Sequence, residues 1–200
     1  MKRITIAIIM LLLTATTGFA LTAQEVLDKC AAVVSARDGA TASFSMTSAQ
    51  YGNSQGTIAI KGQKFYMKSA ETTMWFDGHT LWTYMADNDE VNISTPTQQQ
   101  LQTLNPYNFI NLYKQGYTFT MTTSGQTHKV HLTATNSQSK IKEGFITVNK
   151  TTYAPVEIQL LQGNKWTTFS VSNFKAERQD DTKFRFDATA YPDAELIDLR

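Results

Sequence analysis

The sequence predicts a mainly β protein with helices, of the α+β class, and three observations carry the prediction. After Ala40 apolar and polar residues alternate with period two for about fifty residues, and the alternation resumes at Tyr117, as half-buried strands require. From Thr22 a shorter stretch repeats instead with the period of a helix. At the centre of the first alternating region Asp77-Gly78 lies between β-branched and aromatic runs, the composition of a hairpin turn. The 200 residues allow one domain of ordinary size, with 42% hydrophobic residues to fill it and 18% charged residues to cover it.

Residues 1–20 stand apart. Lys2 and Arg3 form a basic start, Ile4 to Leu13 an apolar run, and Gly18-Phe19-Ala20 puts small residues at the −3 and −1 positions of a cleavage site. A secretory signal peptide is expected there, with residues 21–200 as a single domain. The apolar run is shorter than the roughly 20 residues that span a bilayer. Cleavage would remove Lys2 and Arg3 from the 18 basic residues, leaving 16 against 17 acidic ones and turning a net charge of +1 into −1. Such a surface excludes nucleic acid as a partner. The single Cys30 cannot form an intramolecular disulfide. Leu27-Asp28-Lys29 lacks the small residues that precede a lipidated cysteine, so the mature chain is expected to be soluble.

Val26, Leu27, Cys30, Val33 and Val34 fall on one stripe of a helix over residues 22–37, with Thr22 and Glu25 in capping-box register and Gly39 as its stop. Cys30 on that stripe reads as a small buried hydrophobe. Strands follow at short spacing. Phe44 and Met46 alternate with serine and threonine, Ile58 and Ile60 with Thr57, Ala59 and Lys61, and Phe65 and Met67 with Lys64, Tyr66 and Lys68. The hairpin comes next. A two-residue type I′ turn at Asp77-Gly78 would set Met74 opposite Leu81 and Thr72 opposite Thr83, with Met85 on the same face and Trp75, Trp82 and Tyr84 on the other. Neither face is polar, so each must be covered or one must line an apolar hollow. Asp87-Asn88-Asp89 turns the chain into a strand with Val91 and Ile93.

Pro96 ends this meander. Up to Gly116 the chain holds Leu101 and Leu104 in a Gln-rich stretch, then Asn105-Pro106 as helix start, then Tyr107, Phe109, Ile110, Leu112 and Tyr113. Two short helices are expected, more apolar than an exposed connection requires, either as a plug at the end of a barrel or as a movable lid over a ligand cavity. Strands resume around Phe119, Val130, Ile146, Ile158, residues 166–174 and Phe184-Arg185-Phe186, for a total of about eleven.

Catalytic chemistry has no candidate. His128 and His131 are three apart on a strand and face opposite ways, so they cannot chelate one metal, and His79 lies beside a turn. There is no Gly-x-Ser-x-Gly elbow, phosphate loop or cysteine cluster, and Asp87, Asp89 and Glu90 lack the glycine and spacing of a calcium loop. Neither enzyme activity, a metal nor a cofactor is expected. What remains is an excess of inward-pointing apolar residues, several of them methionines, whose unbranched side chains adapt to ligands of irregular shape.

An amphipathic helix, a meander with Lys64-Phe65, the run Asp77-Gly78-x-x-Leu81-Trp82-x-Tyr84, a helical insert near Asn105-Pro106 and a terminal Phe184-x-Phe186 together resemble the periplasmic lipoprotein carriers, the LolA-like family. The resemblance covers nearly all of residues 21–200. It implies a curved, incompletely closed antiparallel barrel covered by helices, with an apolar cavity that holds the acyl chains of lipoproteins. It also implies transport through the periplasm by a monomeric chaperone, from an inner-membrane release complex to an outer-membrane acceptor. Period-two alternation groups Phe44, Met46, Ile58, Ile60, Phe65, Met67, Met74, Leu81 and Met85 by face, and these are the expected cavity lining, with Phe109 and Ile110 in its cover; the face of Trp75, Trp82 and Tyr84 is equally apolar, so the sequence leaves the choice of face open. Where many members carry Arg-Pro before the Phe strand, this chain reads Lys61-Gly62, so an arginine-held lid does not carry over. The alternatives are a lipoprotein acceptor, another lipid-binding protein of the same fold, and a secreted non-catalytic β protein for protein contacts.

Overall fold

The computed structural model describes residues 21–35, 37–97, 100–101, 113–114 and 116–200. Helix α1 spans Ala23–Val34. Its start is specified by the predicted capping box: the Thr22 hydroxyl accepts from the Glu25 N–H, and the Glu25 carboxylate accepts from the Thr22 N–H at 2.7 Å. Val26, Leu27, Cys30 and Val34 are buried along one stripe. The helix ends earlier than expected, at Ser35, whose N–H donates to the Ala31 carbonyl. Gly39 is therefore not its stop. It enters the first strand at a left-handed φ of 106°, where a side chain would meet the Ile60 carbonyl oxygen at 2.5 Å.

The strands are β1 (Ala40–Ser48), β2 (Gly52–Lys61), β3 (Lys64–Ser69), β4 (Thr72–Phe76), β5 (Leu81–Met85), β6 (Glu90–Ser94), β7 (Tyr117–Ser124), β8 (Thr127–Ala134), β9 (Ile141–Asn149), β10 (Pro155–Gln162), β11 (Lys165–Ala176) and β12 (Glu195–Asp198). They form one curved, unclosed 12-stranded sheet in the order β12-β6-β5-β4-β3-β2-β1-β11-β10-β9-β8-β7. Two antiparallel meanders, β1 to β6 and β7 to β11, are thus joined by the pairing of β1 with β11. The strand expected at Phe184-Arg185-Phe186 is absent. Asp180 accepts from the Thr182 N–H at 2.9 Å and starts a 3-10 turn over Asp181–Phe184 instead. The additional strand, β12, pairs in parallel with β6; its four residues carry no alternation to announce it.

The hairpin between β4 and β5 also departs from expectation. The Asp77 carboxylate accepts from the N–H groups of His79 (2.9 Å) and Thr80 (2.8 Å), so the loop takes in Asp77, Gly78, His79 and Thr80. Only Gly78 has positive φ, and a type I′ turn needs it at two residues. Met74 consequently faces Thr83, and Phe76 faces Leu81. Because this slips the register by two and not by one, every side chain keeps its predicted face.

Each face of this hairpin is covered, by different parts of the chain. On the face bearing α1, hereafter inner, one buried cluster joins Val26, Leu27 and Cys30 of α1 to Ile60, Phe65, Phe76 and Leu81 of one meander and to Val130, Ile146 and Ile158 of the other. On the outer face the residues after β11 fold back over Trp75. Phe186 and Tyr191 set their rings 5.4 and 5.5 Å from Trp75, Tyr191 lies 4.6 Å from Tyr84, and Phe184 is fully buried. Lys61 belongs to this outer cover. Its ammonium donates to the Gln179 carbonyl at 3.1 Å and pairs with Asp181 at 3.2 Å, so in this chain it fastens residues 179–181.

Candidate functional site

Pairing register places every described member of the predicted set on the inner face. Ala40, Ile60, Phe65, Phe76 and Leu81 form one cross-strand row, and Ala42, Ile58, Met67 and Met74 the next. Phe44 and Met46 follow by alternation on β1, and Met85 by alternation on β5. Phe109 and Ile110 lie outside the described residues, as do Leu104, Tyr107 and Leu112. Of the expected cover, two parts are described. Thr97 and Gln100 form a second capping box that opens a helical turn at Gln100 and Leu101, and Tyr113 is buried against α1.

The face extends well beyond that set. Through the β1–β11 pairing, Met46 stands opposite Phe169, and the row continues without a polar residue through Ile158, Ile146 and Val130 to Met121. Sequence reasoning found the alternation of Tyr117, Phe119 and Met121 but could not orient it, because the two meanders share no turn. Burial is graded along these rows. Ile60, Phe65, Phe76, Val130 and Ile146 are closed off, whereas Phe44, Met46, Met67, Met74, Phe119 and Met121 remain half-buried and Met85 is exposed. The half-buried residues leave apolar side-chain surface open along the inner face.

Polar contacts fix α1 over this face. The Tyr113 hydroxyl donates to the Asp28 carboxylate; burial first, then this carboxylate, push the Tyr113 phenol well above its ordinary pKa, so it stays a donor. Lys29 donates to the Tyr153 hydroxyl at 3.3 Å and sits 4.7 Å from that ring. Burial alone pushes the Cys30 thiol up to about 12, which leaves it unreactive at neutral pH. His128 and His131 diverge as predicted: His128 is bonded to Thr123 at 2.8 Å on the inner side, and His131 to Glu143 at 2.7 Å while stacked on Phe145. Among the described residues no three His, Cys, Asp or Glu side chains gather to hold a metal, and no helix is long and apolar enough to cross a membrane.

The sequence model of the family described as outer membrane lipoprotein carrier protein LolA matches residues 13–164. No curated protein matches the chain. Among solved structures, an uncharacterized conserved protein from Thermus thermophilus is similar at 14% identity and a TM-score of 0.60, with 88% of this chain and 98% of that one covered. A LolA superfamily protein from Nitrosomonas europaea is 14% identical over 84% of this chain and 99% of its own, with a TM-score of 0.44. The lipoprotein LppX of Mycobacterium tuberculosis is 8% identical over 80% and 99%, also at 0.44.

Proposed function

The chain belongs to the family of outer membrane lipoprotein carrier proteins, LolA, and from that premise we propose that it binds the acyl chains of lipoproteins on its inner face and carries them through the periplasm from inner to outer membrane. The observation that supports the reading best is the apolar row from Met46 to Met121, half-buried at its ends and lined by adaptable side chains. Each methylene moved from water to such a surface gains about 0.8 kcal/mol, so a long acyl chain needs a carrier to cross water. A partly wetted lining gains less than a sealed one, which leaves the cargo able to depart. The role calls for no covalent chemistry. Residues 1–20 would act as the leader that delivers the chain to the periplasm and is cleaved after Ala20.

Photo-crosslinking tests this reading. A photoreactive residue at Met67 or Met121, on the inner face, should capture lipoprotein in the periplasm, while one at Tyr66 or Thr120, on the outer face, should not. Mass spectrometry of protein purified without detergent should find lipid or lipoprotein bound. Equal capture from both faces, or none from a folded protein, would overturn it.

A further inference from the structure

The outer face holds a groove of about 320 Å³ that acyl binding on the inner face leaves unused. A bulge builds one side of it. Thr41 pairs with Lys175 but Ser43 with Ser172, so Asn173 and Phe174 share Ala42 as partner. Asn173 takes a left-handed φ of 52°, a conformation asparagine tolerates better than most residues. Up to Val171 the odd-numbered residues of β11 point inward; past the bulge Lys175 is paired with outward-facing Thr41 and joins the outer face. The other side comes from the 3-10 turn after β11, which sets the Lys183 ammonium 6.0 Å from the centre of the Tyr66 ring.

Lys175, Lys183, Asn173, Ser43, Thr57 and Tyr66 line the space. The charge balance around it is basic. Among the described residues neither Lys175 nor Lys183 has a carboxylate within ion-pair distance; Lys183 donates to the Gln179 side-chain oxygen at 3.1 Å. Asp181 is shared between Lys61 and Lys64, and Glu177 accepts from Thr41 at 2.6 Å. Lys68 stands opposite Thr57 and adds another cation. The Tyr66 phenol, a donor at neutral pH at its ordinary value, is pushed further up by burial.

We propose that this groove binds a phosphate ester with a small polar body, of the size of glycerol phosphate, either free or as the headgroup of a lipid. Two ammonium groups without carboxylate partners, together with hydroxyl and amide donors, recognise such an anion, and the space exceeds what bare phosphate fills. The proposal is independent of acyl binding, which uses the opposite face.

Two probes separate the sources: glycerol 3-phosphate titrated into the full chain by heteronuclear NMR, and co-sedimentation with phosphatidylcholine vesicles with and without phosphatidylglycerol. Saturable shifts centred on Thr57, Lys175 and Lys183 are expected with the free ester. Sedimentation that requires phosphatidylglycerol, without such shifts, identifies the headgroup and also supports the site. Lys175→Gln and Lys183→Gln should each weaken binding about fivefold, the size of a charge-assisted contact at an exposed position. Lys165→Gln, at an exposed lysine outside the groove, is the control for diffuse attraction. These are surface positions, and unchanged thermal midpoints confirm that the variants fold. No response to either probe, or an equal loss in Lys165→Gln, overturns the proposal.

Discussion

Substituting Gly56 by alanine places one methyl group where the curvature of the sheet leaves no room. A Cβ on Gly56 would stand 1.9 Å from the Lys68 carbonyl oxygen, 2.8 Å from its carbon and 3.1 Å from a ring carbon of Phe44. The first two atoms are backbone in the β2–β3 ladder and cannot rotate away, so the strands must part where Gly56 faces Ser69. Overpacking of this kind costs about 1–3 kcal/mol, and a clash with backbone belongs at the upper end. Against it, alanine restricts the unfolded chain and returns about 0.4–1 kcal/mol. Gly56→Ala should therefore lose about 2 kcal/mol net. Gly144→Ala is the internal control: its Cβ would meet the Gln159 carbonyl oxygen at 3.1 Å and Leu160 Cδ2 at 3.4 Å, contacts that a small shift relieves. The two terms then nearly cancel, to within about 0.5 kcal/mol. Urea denaturation measures the difference. With an m-value of about 2 kcal/mol per molar, Gly56→Ala should lower the midpoint by about 1 M at unchanged slope, and Gly144→Ala should hardly move it. Equal shifts in the two variants, or a raised midpoint for Gly56→Ala, would refute the argument from close approach.

Two further outcomes concern the outer cover. Phe184→Ala removes a fully buried ring from the 3-10 turn that lies against β3 and β4 and should cost about 3–5 kcal/mol; limited proteolysis should then cut within residues 177–194 before the sheet, and uniform resistance would count against the cover's dependence on Phe184. The Asp181 carboxyl is held below its ordinary value of 3.8 by hydrogen bonds from Lys64 and Lys61. A depressed acid stabilises the fold above its unfolded pKa and loses that contribution as pH falls through the folded one. The thermal midpoint of Asp181→Asn should accordingly lie below that of the parent at neutral pH and converge with it on acidification below 3.8; a gap independent of pH would show that the ion pairs are not its source.

What the sequence determined by itself was local. The Thr22–Glu25 box, the alternation that gives Phe44, Met46, Ile58 and Ile60 one face, and the divergence of His128 from His131 all follow from side-chain period and hydrogen bonding within a few residues, and the structure contains each of them. Even the slipped hairpin left the faces intact, since its register moved by two. Tertiary structure decided which apolar face of that hairpin turns inward. Trp75 and Met74 are equally apolar, and the choice rests on Phe186 and Tyr191 returning over one side while α1 lies on the other. The pairing of β1 with β11 decided that Met46 and Met121 belong to one row, and the bulge in that pairing turned Lys175 outward. The ring contacts on Trp75 and the β1–β11 pairs join residues more than a hundred positions apart, and α1 reaches the hairpin across three intervening strands. Periodicity orients a side chain only relative to its own strand, so the orientation of one strand against a distant one is set when they meet.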